Sequence, residues 1–171
     1  MDVMPDVGTA HSIAAGAEFD GVHSNKTTRV GLAFFAEQDK WAVVLCSDNY
    51  FNPRTWMYEI FLRRTRVWYR RDHTTMVEDE QGYRGLLHVG DINLDLSVVH
   101  GRMQSIHSGE GRAFPNPTLL PWGTRPWVIR VLLIFQQEYE IQLPKCSATE
   151  LVGHIERRIT SLSQNIIPLI E

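Results

Sequence analysis

Six arginines lie between residues 54 and 71, and they are the strongest chemical feature of this 171-residue sequence. Glu59 is the only acid in that segment, so the segment carries a local charge of +5, although the whole chain carries −3. Arginine donates paired hydrogen bonds to phosphate groups, and the neighbouring aromatic residues suit a lipid headgroup layer or a nucleic acid. We therefore predict that the segment binds anions. The candidate residues are Arg54, Arg63, Arg64, Arg66, Arg70 and Arg71.

A second stretch, GEGRAFPNP at residues 109–117, has two glycines that could belong to a phosphate-binding loop. Such a loop needs Lys followed by Ser or Thr and then a helix, whereas Gly111 is followed by Arg-Ala-Phe-Pro. The prolines disfavour a helix at this point, and the third glycine of a dinucleotide fingerprint is missing. We interpret the stretch as a glycine-rich turn that leads into an extended, proline-rich loop.

No group of residues in the sequence is typical of an enzyme. Seven histidines are scattered along the chain, and neither an HExxH zinc motif nor a GxSxG nucleophile motif occurs. Asp91 and Asp95 are more simply explained as exposed strand carboxylates than as an acid–base pair, and Cys46 has no base that the sequence assigns to it. We therefore expect a non-enzymatic protein with no cofactor and no metal site.

Length and composition indicate one globular domain. The chain is long enough for a single core, and it is 43% hydrophobic and 22% charged. Cys46 and Cys146 have no CxxC spacing, which argues against a disulfide framework and favours a reducing compartment. No apolar run reaches the ~18 residues of a membrane span, and the N-terminus lacks the pattern of a secretion signal. These features predict a soluble intracellular protein.

The first 25 residues are small, polar and acidic, with no Lys or Arg. We interpret residues 1–25 as a flexible acidic arm and residues 26–171 as a single globular domain. The arm could dock on the arginines of a neighbouring subunit, which would give an open-ended, head-to-tail assembly. The candidates for self-association are Asp2, Asp6, Glu18 and Asp20 in the arm and Leu119, Leu120 and Trp122 in the proline-rich loop.

The arginine-rich segment, residues 54–72, can form either a helix or a strand. Asn52 and Pro53 suit the N-terminus of a helix, and the aromatic and aliphatic residues recur at helical spacing. A long strand is the alternative, because large residues also alternate from Trp56 to Leu62. We favour the helix, with its arginines facing solvent.

The remaining pattern predicts strands and a final helix. Ser147 and Glu150 form a capping box before an amphipathic helix at about 147–164. The fold class that follows is α+β, an antiparallel sheet packed with two helices. The predicted strands are residues 28–37 and 40–47, two or three strands within 83–109 with turns near Gly90 and Gly101, and a hairpin within 127–143.

Four blocks, taken in order, resemble the matrix proteins of rhabdoviruses, the vesiculovirus type in particular. The resemblance rests on their collinearity over about residues 40–145. The first block, AVVLCSDNYFNPRTWMYEI, is similar to the family's strand, polar turn and Arg-Thr-aromatic sequence before a helix. The last block, RPWVI, is similar to the Arg-Pro-aromatic sequence that starts a strand in the family. YRGLLHVGDINL and EGRAFP are similar to the family's Tyr-basic-x-Leu strand and Glu-Gly-Arg-Ala-aromatic block. The Lys-rich tail and the Pro-Pro-x-Tyr motif usual in that group are absent here.

The resemblance implies a non-enzymatic structural protein of the virion. Such a protein polymerises beneath the envelope, binds the anionic inner membrane surface and condenses the nucleocapsid, a complex of nucleoprotein and RNA, for assembly and budding. Its partners would be other copies of itself, the membrane and the nucleocapsid. Its locations would be the virion and the host cytoplasm, membranes and nucleus.

Two other functions stay open on the residues alone. One is a PH-like phosphoinositide-binding module, since RVLLIF, YEIQL and a capped amphipathic helix resemble its usual ending. In that fold residues 54–72 would be strands. The other is an RNA-binding protein that uses the same arginines.

Overall fold

The computed structural model describes residues 27–36, 40–160 and 166–169, and it confirms the α+β class. Within these residues a six-stranded sheet packs with three α-helices. The strands are β1 (Thr28–Phe35), β2 (Lys40–Cys46), β3 (Thr55–Leu62), β4 (Trp68–Thr75), β5 (Tyr83–Ile92) and β6 (Ile166–Pro168). The helices are α1 (Leu96–Ser105), α2 (Thr124–Tyr139) and α3 (Ala148–Thr160).

The sheet has the strand order β4-β3-β2-β1-β5-β6. The first five strands are antiparallel to their neighbours, and β6 runs parallel to β5. The two strands predicted from residues 28–37 and 40–47 are confirmed as β1 and β2. Their buried β-branched and aromatic side chains suit a pleated surface that is covered on both sides.

The helices cover one face of the sheet. Successive side chains of a strand point to opposite faces, so Val30, Leu32 and Phe34 of β1 face the helices. There they pack in one large core with Trp127 and Phe135 of α2. Burial of this core is the main source of folding free energy, at roughly 25 cal/mol per Å² of apolar surface removed from water.

The other face of the sheet has a smaller core under the loop that joins β2 to β3. Ala33 and Phe35 of β1 and Val44 of β2 point to this side. Tyr50 from the loop and Val77 from a short 3-10 turn pack over them, and both are fully buried. The sheet is therefore covered on both faces, although three helices lie on only one.

The predicted helix at residues 54–72 is wrong. The segment is a hairpin, in which β3 and β4 pair along their whole length around a turn at residues 63–67. Alternation decides the structure, because Tyr58 and Ile60 reach the large core while Met57 reaches the smaller one. A helix would have left in water either the side chains that reach the large core or those that reach the smaller one.

The prediction of two or three strands within residues 83–109 is also wrong in part. Only β5 is a strand, and α1 follows it after Asp95. Val99 and Met103 of α1 are buried four residues apart, which is the helical period. Gly101, predicted to lie in a turn, lies inside α1.

The predicted hairpin at residues 127–143 is wrong, because residues 127–139 lie in a single helix, α2. An apolar run that is buried on most sides does not distinguish a helix from a strand by periodicity. Pro126 lies in the first turn, where its missing N–H costs little, and Glu140 ends the helix in a left-handed conformation. The block RPWVI therefore starts a helix and not a strand. RVLLIF also lies in α2, so the PH-like ending predicted for it does not form.

The closing helix is confirmed from Ala148 to Thr160. The capping box forms as predicted, because the Glu150 carboxylate accepts hydrogen bonds from Ser147 N and Oγ at 2.8 Å. Leu151 and Ile155 are buried in the large core. The last predicted residues of this helix, 161–164, and the acidic arm, 1–25, lie outside the described residues.

Gly31 allows the close contact between β1 and the ring of Tyr50. A Cβ atom at position 31 would lie 2.9 Å from Tyr50 Cε1 and 3.0 Å from Val44 Cγ2. We expect Gly31→Ala to lower the free energy of unfolding by about 1–3 kcal/mol, because the buried ring must shift. Urea denaturation measures this value.

Gly101→Ala is the matched control. Nothing lies within 4 Å of a Cβ atom at position 101, and the residue is inside α1, so alanine should raise stability by up to ~1 kcal/mol. Equal stability of the two variants would contradict the close contact at Gly31.

Candidate anion-binding site

Three of the six candidate arginines, Arg63, Arg64 and Arg66, come together in the turn of the β3–β4 hairpin. The turn is closed by hydrogen bonds from Arg63 N to Val67 O at 3.1 Å and from Arg66 N to Arg63 O at 2.9 Å. Arg66 has a positive φ of 60°, which the chain needs to reverse direction within five residues. We call residues 61–69 the hairpin tip.

Two aromatic rings support the base of the hairpin tip. Phe61 and Tyr69 are cross-strand partners whose ring centroids lie 6.1 Å apart. The guanidinium carbon of Arg63 lies 4.1 Å from the centroid of Tyr69 and 5.7 Å from that of Phe61. This cation–π contact holds Arg63 against the rings without neutralising its charge.

The hairpin tip exposes apolar side chains beside its arginines. Phe61 is 37% exposed, Leu62 52% and Val67 49%. Arg64 and Arg66 are also exposed, and no ion pair joins any of the three turn arginines to an acid among the described residues. The tip therefore presents three uncompensated positive charges and three apolar side chains on one projecting element.

Arg70 is used inside the fold. Its Nε atom lies 2.6 Å from Asp72 Oδ1. Its Nη1 atom donates hydrogen bonds to the carbonyl oxygens of Met103, Gln104 and Ile106. These carbonyl groups lie at the C-terminal end of α1, so Arg70 caps the helix and joins it to the edge of the sheet.

Arg71 is paired with a buried acid. The side chain of Glu59 is only 4% exposed, and its Oε1 atom pairs with Arg71 Nη2. Its Oε2 atom lies 2.6 Å from Lys40 Nζ. A carboxylate is costly to bury unless it is paired, and these two cations satisfy it. Arg71 therefore has a structural role, although its side chain is 53% exposed.

Arg54 does not belong to the same surface. It is exposed just before β3 begins, whereas the hairpin tip follows the other end of that strand. Its backbone N donates a hydrogen bond to Asn52 Oδ1 at 2.9 Å. The six arginines therefore divide into three at the tip, two in structural pairs and one at the far end of the strand.

The loop at residues 109–117 is organised around a buried arginine, Arg130 of α2. Arg130 is only 6% exposed, and its guanidinium lies 4.0 Å from the ring of Trp122. It donates hydrogen bonds of 2.5–3.3 Å to the carbonyl oxygens of His107, Gly109, Phe114 and Pro115. The loop thus has the structural role interpreted from its sequence. The sequence did not predict this role of Arg130, whose only signal in the sequence is a charged residue inside an apolar run.

The proposed self-association residues lie in different environments. Leu119 is 90% exposed, at the apex of a turn in which Asn116 Oδ1 accepts hydrogen bonds from Thr118. Leu120 and Trp122 are partly buried against the large core. The acidic candidates, Asp2, Asp6, Glu18 and Asp20, lie outside the described residues.

One group of titratable side chains lies on the smaller core. The Tyr50 hydroxyl is 2.7 Å from His88 Nδ1, and His88 Nε2 is 3.7 Å from Asp91 Oδ1. Burial raises the pKa of the neighbouring Cys46 thiol to about 12, which disfavours its reactive thiolate form. Burial also lowers the pKa of His88, and nearby Arg29 acts in the same direction while Asp91 opposes it.

Wider comparisons identify no relative. No protein-family model matches the chain, no curated protein matches it, and no solved structure matches it. Among the described residues, no helix is long and apolar enough to cross a membrane. The same residues contain no group of three or more His, Cys, Asp or Glu side chains that could hold a metal ion.

Replacing Arg130 should release the 109–117 loop. We expect Arg130→Gln to lower the free energy of unfolding by at least ~2 kcal/mol, because the buried guanidinium and its hydrogen bonds to four loop carbonyl oxygens would be lost. Faster proteolytic cleavage within the loop should accompany this loss. Arg112→Gln removes an exposed charge from the same loop and should leave both measurements unchanged.

The stability of the fold should depend on pH through His88. Because the pKa of His88 is lowered in the folded state, the unfolded chain binds the proton more readily. The contribution of His88 to the free energy of unfolding is therefore fully present above the ordinary pKa of 6.5, and it is lost as the pH falls below that value. Urea denaturation from pH 7.5 to 5 should show this fall.

The variant His88→Gln should flatten that dependence. An unchanged slope in His88→Gln would show that another group is responsible.

Proposed function

We propose that this chain is a non-enzymatic matrix-type protein that binds anionic membrane surfaces through the hairpin tip. The observation that carries the proposal is the combination of Arg63, Arg64 and Arg66 with exposed apolar side chains at one turn. Arginines attract the phosphates of anionic lipids, and apolar side chains enter the boundary between headgroups and acyl chains. A charged tip without apolar groups would suit any polyanion equally.

The exposed apolar side chains also favour a membrane over RNA. Single-stranded RNA is bound by aromatic rings that are open to stacking with bases. At the hairpin tip, Tyr69 and Phe61 are stacked on each other and contacted by Arg63. The two most exposed apolar side chains of the tip, Leu62 and Val67, are aliphatic and suit lipid. RNA binding is the second outcome that the experiment below separates.

The matrix role is supported by the sequence resemblance. The collinear blocks extend through β2, β3, β5, the 109–117 loop and the start of α2. In this role the protein lies beneath the viral envelope, self-associates and condenses the nucleocapsid. Leu119, 90% exposed on a turn, is the described residue best placed to contact a second copy.

Vesicle cosedimentation tests the membrane role. The variant Arg63→Gln/Arg64→Gln/Arg66→Gln should bind phosphatidylserine vesicles about 100-fold more weakly, since each basic residue near an anionic surface contributes about 1 kcal/mol. Binding of the unmodified protein should fall as salt is raised, because exposed charges are screened over about 8–10 Å.

A variant with the same change in net charge is the control. Arg54, Arg84 and Arg112 are exposed elsewhere on the protein, and their joint replacement by Gln should reduce binding far less. Equal loss in the two triple variants would contradict a specific role for the tip. Binding to single-stranded RNA but not to vesicles would assign the tip to nucleic acid.

A further inference from the structure

A groove of about 590 Å³ opens where β3 separates from β2. β3 pairs with β4 from Thr55 to Leu62, but with β2 only over residues 56–58. Beyond Tyr58 the two strands diverge, and Gly123 and Thr124 at the start of α2 line the opening between them. The volume is within the range of roughly 300–1,000 Å³ that is typical of small-molecule sites.

The groove carries a net positive charge. Lys40, Glu59 and Arg71 all line it. Both carboxylate oxygens of Glu59 are occupied by these two cations, so the acid is neutralised and one positive charge remains. Arg71 has five N–H donors and Lys40 has three, so donors remain for an anionic ligand. A phosphate group matches this arrangement.

Large apolar residues also line the groove. Phe61 and Leu62 of β3 and Trp68 of β4 line it, and Phe61 and Leu62 are also exposed. These residues belong to the hairpin tip, so the groove opens beside the proposed membrane-binding surface. A ligand that matches both the charged and the apolar lining must have an anionic head and an apolar chain.

We propose that this groove binds a single anionic phospholipid. Lys40 and Arg71 contact its phosphate-bearing headgroup, while Phe61, Leu62 and Trp68 contact the first carbons of its acyl chains. A free phosphate ion has the same headgroup chemistry but would leave the apolar lining uncovered. This inference rests on the proposed membrane role and adds a defined lipid site to it.

Isothermal titration calorimetry with a short-chain lipid tests the site without a membrane. The probe is dihexanoyl phosphatidic acid below its micelle concentration, compared with dihexanoyl phosphatidylcholine and with inorganic phosphate. We expect the phosphatidic acid to bind at least tenfold more tightly than either of the other two. Equal binding of inorganic phosphate would overturn the lipid assignment in favour of a free-phosphate site.

Two groove variants locate the binding. Gly123 is extended, at φ 177°, and a Cβ atom there lies 3.9 Å from Trp68 Cη2. Gly123→Leu should therefore place its side chain in the groove without changing charge, and binding should fall more than tenfold. Arg71→Gln leaves Glu59 paired with Lys40 and should weaken binding about tenfold, as expected for a lost charge-assisted hydrogen bond.

Gly123→Ala and Arg54→Gln are the controls for these variants. A Cβ atom at position 123 makes only ordinary contacts, and Arg54 does not line the groove. Both should bind the short-chain lipid as the unmodified protein does, and thermal unfolding should show that all four variants are folded. Unchanged binding in folded Gly123→Leu would overturn the site.

The triple variant of the tip separates this inference from the membrane role. It should lose vesicle binding and keep the short-chain lipid. One outcome would overturn the lipid site in the groove and leave the membrane role intact. In that outcome the triple variant loses vesicle binding, and the unmodified protein does not bind the short-chain lipid. Retained vesicle binding in that variant would overturn the role of the tip and leave the groove to be judged by its own variants.

Discussion

The buried carboxylate of Glu59 determines how the basic hairpin is attached to the sheet. Backbone pairing between β2 and β3 stops at Tyr58, and Glu59 is the next residue of β3. Its partners, Lys40 and Arg71, belong to β2 and β4, so one ion-paired group joins three strands where the hydrogen-bonded ladder ends. An unpaired carboxylate in this position would be strongly unfavourable, which restricts the hairpin to an orientation that keeps both cations near it. The direction in which the tip projects, and the groove at its base, follow from this constraint.

The same constraint explains why arginines that are adjacent in sequence have different roles. Arg70 and Arg71 are consecutive on β4, so their side chains point to opposite faces of the sheet. Arg71 meets Glu59 on one side, and Arg70 meets the end of α1 on the other. Among the described residues, the arginines of the turn make no ion pair with the fold's own acids. The local charge of +5 in the sequence thus overstates what is available to a ligand, and the three turn arginines carry most of it.

Sequence patterns predicted the parts of the fold that local interactions determine. The β1 and β2 strands have strong β-propensity, and the capping box of α3 depends on two residues three positions apart. The helix proposed at residues 54–72 failed because Trp56 to Leu62 satisfies both periods, and only the burial of both faces of β3 decides between them. α2 was predicted as strands for a related reason, since Val128 to Leu132 is buried throughout, Arg130 included, and has no face exposed to solvent. In the site, the sequence identified the turn arginines, but the neutralisation of Arg71 by Glu59 and the capping by Arg70 require contacts that only the folded chain provides.

Charge at the tip and shape in the groove would contribute differently to binding. The attraction of the tip acts over the distance of salt screening and does not distinguish one anionic lipid from another. The groove would act only on a lipid that touches it. Its positive charge is partly offset by the buried carboxylate beside it, and its apolar lining is covered only by a chain of matching length. Phe61 and Leu62 belong to both surfaces, so a lipid held in the groove would place its acyl chains beside the side chains that we propose enter the membrane. The arginines of the turn would then attract the protein to the surface. The groove that Glu59 holds open would select one lipid.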